Sequence, residues 1–257
     1  LNIMSTYYET GHSKNVANLE DVISYCVGYG ATYNPSKTSI KLPGLNTLLT
    51  TSKATIQAVN ATITAFHNST NAREIAFEPL RPLGTKILNA LVASGASDQT
   101  INDFKTLNRK VQGKRAGGKM TKADSGKVIN PNPTDPLPEP TDTSISAAQL
   151  SYDSYMDHYS KIIALLNTEP LYLPNETALK IPALTTLMTT LTTTNTNVIN
   201  ATTAYSNARI ARNKSLYLAN TGLFDTVKDV KAYVKSVFGA TSPEYKQISK
   251  IKFTKGR

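Results

Sequence analysis

The chain has no tryptophan and one cysteine, Cys26, among 257 residues. An intrachain disulfide is therefore excluded, and a cysteine-based metal cluster would need ligands from other chains. No run of about 18 apolar residues occurs, so a membrane-spanning helix is not expected. The opening residues "LNIMSTYYETGHSKN" lack a basic stretch followed by an apolar one, so no secretory signal is read there. With one cysteine and no signal, the expected compartment is reducing and cytoplasmic. Histidine is equally sparse: His12, His67 and His158 are scattered, and none sits three or four residues from another. No Gly-x-Ser-x-Gly elbow and no dinucleotide fingerprint is present.

What the chain does have is a repeat. "YNPSKTSIKLPGLNTLLTT" at 33–51 returns as "YLPNETALKIPALTTLMTT" at 172–190, 139 residues later. Aligned without a gap, 33–73 and 172–212 share 17 of 41 residues. Chance would give roughly two or three at ordinary residue usage, so the chain is read as a duplication.

The periodicity in the repeat is helical. Leu45, Leu49, Ser52, Ile56, Val59, Ile63 and Phe66 follow alternating steps of four and three, and Leu184, Met188, Leu191, Asn195, Val198, Thr202 and Tyr205 keep the same register. Such spacing lines one seam of a bundled helix. The residues between are mostly Thr, Asn and Ala. Thr and Asn are indifferent helix formers, so packing must hold this helix. Asn195 faces Ile56 in its twin, and either a buried register-setting amide or an exposed rim position fits it.

Around the long helix the two copies read alike. A first helix carries Val16, Leu19, Ile23, Cys26 and Val27, or Tyr155, Tyr159, Ile162 and Leu166, and Gly28 and Gly30 stop the first of these. A Tyr-x-Pro connector follows, extended before its proline, and Pro43 and Pro182 suit the first turn of the long helix. Breaks at "EPLRPLG" and "LANTGLF" precede a third helix closed by Gly95 or Gly239. Asp98 and Ser242 are then expected to cap a fourth helix carrying Ile101, Phe104 and Leu107, or Tyr245, Ile248 and Ile251. No segment shows convincing strand alternation. The expected fold is all-α, with two duplicated four-helix units at 1–112 and 147–257 forming a helical bundle. A Gly-, Pro- and Lys-rich linker is expected at 113–146.

The stretches "GHSKNVANLEDVISYCVGYGATYNPSKTSIKL", "NTNVINATTAYSNARIARNKSLY" and "DVKAYVKSVFGATSPEYKQ" resemble a set of two-repeat helical hypothetical proteins of Bacteroidota bacteria. The resemblance spans nearly the whole chain outside the linker. It implies a self-contained bacterial protein type and brings no functional residues with it.

Charge supplies a modest functional signal. The net +10 divides as +3 over residues 1–110, +1 over 111–146 and +6 over 147–257. Both copies end in a basic run, "NRKVQGKRAGGK" and "KQISKIKFTKGR", which offers Lys114, Arg115, Lys119, Lys246, Lys250, Lys252, Lys255 and Arg257 to an anionic partner such as nucleic acid. Cations at helix C-termini also complement the helix dipole, which explains several of them structurally. Gly113 to Met120, "GKRAGGKM", matches the phosphate-loop spacing but puts Met120 where a hydroxyl belongs and has no strand before it. Asp153, Asp157 and His158 are the nearest approach to an acid–base cluster, with no second cluster to complete it. No catalytic residue, cofactor or metal is assigned.

Residues 183–206 contain no charge at all. A solvated helix of a monomer normally carries some, so this span is read as enclosed by the bundle or by a neighbouring chain. Thirteen tyrosines also favour interfaces, where the ring buries and the hydroxyl keeps a partner. The expected function is a non-enzymatic structural or interaction scaffold that self-associates or binds another protein. The alternative is a basic protein that holds phosphate backbones at the ends of both copies.

Overall fold

The computed structural model describes residues 9–114 and 151–255, which are mostly helical, with no strand among them. The first copy gives α1 (Glu9–Gly28), α2 (Leu42–Phe77), α3 (Leu80–Ala93) and α4 (Asp98–Val111). The second gives α5 (Tyr152–Thr168), α6 (Ile181–Tyr217), α7 (Leu223–Phe238) and α8 (Pro243–Ser249). The protein is all-α. Of the linker expected at 113–146, only Gly113 and Lys114 lie among the described residues.

The two compact units are not coextensive with the two sequence copies. One is built from α1, α2 as far as Thr70, α6 from Val198 onward, α7 and α8; the other takes the rest of α2, then α3, α4, α5 and α6 as far as Asn197. Each unit thus pairs the front of one copy with the back of the other. The division therefore differs from the boundaries 1–112 and 147–257. The physical reason is length. A 36-residue α2 and a 37-residue α6 are each about 54 Å long at 1.5 Å per residue, too long for one small core to cover.

In the first unit Leu19, Val22, Leu45, Leu216, Val230 and Val234 pack together. In the second the core is formed by Ile87, Leu91, Phe104, Ile162, Leu184 and Leu191. Removing such a side chain to Ala costs about 2–5 kcal/mol. Within the first unit α2 and α6 run antiparallel: Ser52 Oγ meets Ser215 Oγ at 3.2 Å, and Phe66 stacks on Tyr205 at 6.2 Å between ring centroids. The seam expected along α2 is buried or half-buried from Leu45 to Phe66. On α6 it holds except at Thr202, which is exposed.

The repeated Tyr-x-Pro connector is a tether. Tyr33 Oη donates to Ile40 O at 2.6 Å and Tyr172 Oη donates to Leu179 O at 2.9 Å, each closing the connector onto a short 3-10 turn. Gly44 follows the first of these turns because a Cβ there would lie 2.5 Å from Thr38 O.

Three local expectations need correction. Ser97, not Asp98, caps α4, accepting from Thr100 N at 3.2 Å, and Asp98 is the first helical residue. The break within "EPLRPLG" is confined to Glu78 and Pro79, because Pro82 and Gly84 fall inside α3. Finally, α8 stops at Ser249, so Ile251 is not on it, and 251–255 carries no helix. The stretch Lys250-Ile251-Lys252-Phe253 alternates polar and apolar residues but is too short to be read as a strand.

Candidate functional site

Of the basic residues, Lys114 belongs to one compact unit, and Lys246, Lys250, Lys252 and Lys255 belong to the other. Lys114 is exposed just past α4, while Lys246, Lys250, Lys252 and Lys255 are exposed in and beyond α8. Arg115, Lys119 and Arg257 lie outside the described residues. Lys246, Lys250 and Lys252 form no ion pair among the described residues, whereas Lys255 contributes to lowering the Asp225 carboxyl. The segment from Ile251 to Lys255 is fixed through its backbone to α1. The side chains of Lys252, Thr254 and Lys255 remain outward.

The acid–base candidates are occupied structurally. Asp153 Oδ1 accepts from Asn195 Nδ2 at 2.9 Å, and Asp157 Oδ2 accepts from Lys161 Nζ at 2.6 Å. His158 is buried with neither ring nitrogen hydrogen-bonded among the described residues, 3.5 Å from Asp157 Oδ2. Burial lowers its pKa, Lys110 and Lys161 push the same way, and Asp157 opposes them. Among the described residues no three His, Cys, Asp or Glu side chains are grouped to hold a metal ion. Of the phosphate-loop-like stretch only Gly113 and Lys114 are described. Gly113, at φ 68°, terminates α4. Cys26 is buried, and its thiol is pushed up to about 11 by that burial, partly offset by a hydrogen bond with Tyr33.

Each unit has an open groove. In the first, about 550 Å³ is bounded by Ser39, Leu48, Thr51, Thr55, Lys214 and Leu218. In the second, about 530 Å³ lies beside Lys86, Asn89, Leu171, Leu173 and Glu176. Neither brings together a nucleophile, a base and an orienting group.

The outer face of α6 is more distinctive. Thr185, Thr189, Thr192, Thr196, Ile199, Thr203, Ser206 and Ile210 are all exposed and follow the four-three spacing of a second seam. Thr185 Oγ1 donates to Ile181 O at 2.9 Å, Thr189 to Thr185 O at 3.2 Å, Thr192 to Met188 O at 3.0 Å and Thr203 to Ile199 O at 3.1 Å. Each donor is therefore spent on the helix itself. A threonine bound this way can turn its methyl outward, beside Ile199 at 57 % and Ile210 at 63 % exposure. The corresponding register of α2 carries Asn46, Thr50, Lys53, Gln57, Asn60, Thr64, His67 and Asn71, and Lys53 is paired with Glu20 at 2.8 Å. The uncharged span is thus largely exposed within the chain and is not enclosed by its own bundle. The sequence identified the span, but only the structure shows which side faces out.

Asn195 is the polar member of the inner α6 seam. It is buried, accepting from Arg73 Nη1 at 3.1 Å through Oδ1 and donating to Asp153. The Arg73 guanidinium lies 3.9 Å from the Tyr152 ring centroid.

No family model, curated protein or solved structure matches this chain. No helix among the described residues is long and apolar enough to cross a membrane.

Proposed function

We propose that the protein is a non-enzymatic interaction module that self-associates through the outer face of α6. The observation that carries this reading is the exposed, uncharged threonine and isoleucine seam from Thr185 to Ile210. Burying such a face costs little, because four of its hydroxyls, those of Thr185, Thr189, Thr192 and Thr203, already donate to the helix backbone and no charge has to be desolvated. The same register on α2 is furnished with Lys53, Gln57 and His67, as an ordinary solvated helix is. The duplication thus supplied two equivalent helices, and one of them kept a face suited to a second copy of the chain. Sedimentation velocity over a concentration series tests this. Reversible association that persists in 500 mM salt supports the reading, and a monomer throughout opposes it.

A second reading rests on Lys246, Lys250 and Lys252, which are exposed without acidic partners among the described residues. Here the chain would bind phosphate backbones through the region around α8. Contact with about five phosphates gives a log–log salt slope near −4.5. Complexes rich in 260 nm absorbance that dissociate between 50 and 500 mM salt would favour it. Neither reading calls for a cofactor.

A further inference from the structure

The chain from Ile251 to Lys255 carries no helix, and side chains from two helices hold it by its backbone. Asn15, 1 % exposed, makes a two-point contact with Thr254: its Oδ1 accepts from Thr254 N at 3.0 Å and its Nδ2 donates to Thr254 O at 2.7 Å. Asn18, 7 % exposed and three residues along α1, donates to Lys252 O at 2.7 Å. Lys231 of α7 donates from Nζ to Ile251 O at 2.5 Å. Tyr217 Oη, bonded to His12 Nδ1 at 2.7 Å, accepts from Asn15 Nδ2 at 3.1 Å and orients that amide. Ile251 and Phe253 are half-buried against the core of this unit, while Lys250, Lys252 and Lys255 point to solvent.

Among the described residues this arrangement occurs once. When α1 and α5 are aligned on their buried positions, with Leu19 on Tyr159 and Val22 on Ile162, Asn15 and Asn18 fall on Tyr155 and His158. In that unit the chain after Phe104 continues as helix to Val111, whereas after Ile248 it leaves the helix at once. The amide pair and the non-helical segment appear together, and where the pair is missing the equivalent chain is helical. Two asparagines that read main-chain atoms at every second residue recognise an extended peptide whatever its outward side chains.

We propose that the α1 face bearing Asn15 and Asn18 is a binding site for an extended peptide with an apolar-x-aromatic pattern, filled here by the chain's own 251–255 segment, and that the same segment of a second copy binds it in trans. Exchanging an identical element between copies keeps every contact, which makes such association inexpensive. The cis segment has the advantage of an effective concentration in the millimolar range. The intact chain therefore resists a competitor. This site is separate from the α6 face and does not depend on it.

The probe is a fluorescent peptide of residues 249–255, SKIKFTK, followed by anisotropy. It is added to the intact chain, to a chain ending at Ser249, and to the intact chain with Phe253→Asp. The peptide is expected to bind the shortened chain and the Phe253→Asp chain at least about tenfold more tightly than the intact one. Asn15→Ala with Asn18→Ala in the shortened chain should remove that binding, and a scrambled peptide should bind none of them. Thr196→Lys with Ile199→Lys should leave it intact, which separates this site from the α6 reading. Folded chains that ignore the peptide, or that take the scrambled peptide equally well, overturn the proposal. So does loss of helical circular dichroism in both opened variants, since the segment would then be a fixed part of the core.

Discussion

Asn195→Ala removes two hydrogen bonds to charged groups while leaving the groups in place. The Arg73 guanidinium, half-buried with its Nε already unpartnered among the described residues, loses the Oδ1 acceptor at 3.1 Å. Asp153 loses the Nδ2 donor at 2.9 Å. A hydrogen bond to a charged group contributes about 1.5–3 kcal/mol net when buried. The Asp153 end is exposed, so most of its share is replaced by water. The expected cost is about 2–3 kcal/mol. For a chain of this size that lowers Tm by about 4–12 °C. Thermal melting followed by circular dichroism at 222 nm reads it directly. Asn195→Ile, which places the residue of the twin position Ile56 there, should still be destabilised because Arg73 keeps its orphaned donor. In an Arg73→Met background the same change should cost under about 0.5 kcal/mol, giving a coupling of at least about 1 kcal/mol. An Asn195→Ala chain within about 0.5 kcal/mol of the original, or a cycle with no coupling, would refute the network as a stabilising one.

Three further outcomes follow from single sites. Gly84→Ala should destabilise despite the helix propensity gained in mid-α3, because the new Cβ would sit 2.2 Å from Oδ1 of buried Asn108. In an Asn108→Ala background the same change should instead stabilise by about 1 kcal/mol in urea unfolding, since the obstruction is gone. His158 has a lowered pKa in the folded state, so the unfolded chain binds its proton first. Its contribution is fully present above the ordinary value of about 6.5 and is lost as pH falls below it. His158→Leu should flatten that acid-side slope in pH-dependent unfolding, and an unchanged slope would count against this assignment. Cys26, buried with its thiol raised to about 11, should react with a thiol reagent only in denaturant, and fast labelling of the native chain would contradict its placement.

The helices were legible in the sequence where periodicity and punctuation agreed. The four-three seam from Leu45 to Phe66, the glycines at 95 and 239, both of positive φ, and Ser242 as a cap all appear as read. The exchange of halves between compact units was not, because two homologous copies share a pattern and neither copy's periodicity says which back half meets which front half. Asn195 left two readings open for a related reason. One amide in an apolar seam suits burial or a rim until its partners Arg73 and Asp153 are placed. The segment after α8 shows the opposite failure. Its alternation covers only Lys250 to Phe253, too little to stand against a helical spacing of Tyr245, Ile248 and Ile251. Asn15 and Asn18, the residues that hold that segment, looked like ordinary polar positions on α1. Nothing in a helix pattern marks an amide that reads another segment's backbone.

Sedimentation velocity of the intact chain and of Thr196→Lys with Ile199→Lys, across concentration in 500 mM salt, tests the central claim most directly. Both substitutions lie on exposed α6 positions, so the fold and Tm should be retained. The account predicts that the intact chain associates and that the charged variant associates markedly less at every concentration. Equal association of the two, or an intact chain that is monomeric at every concentration, would contradict it.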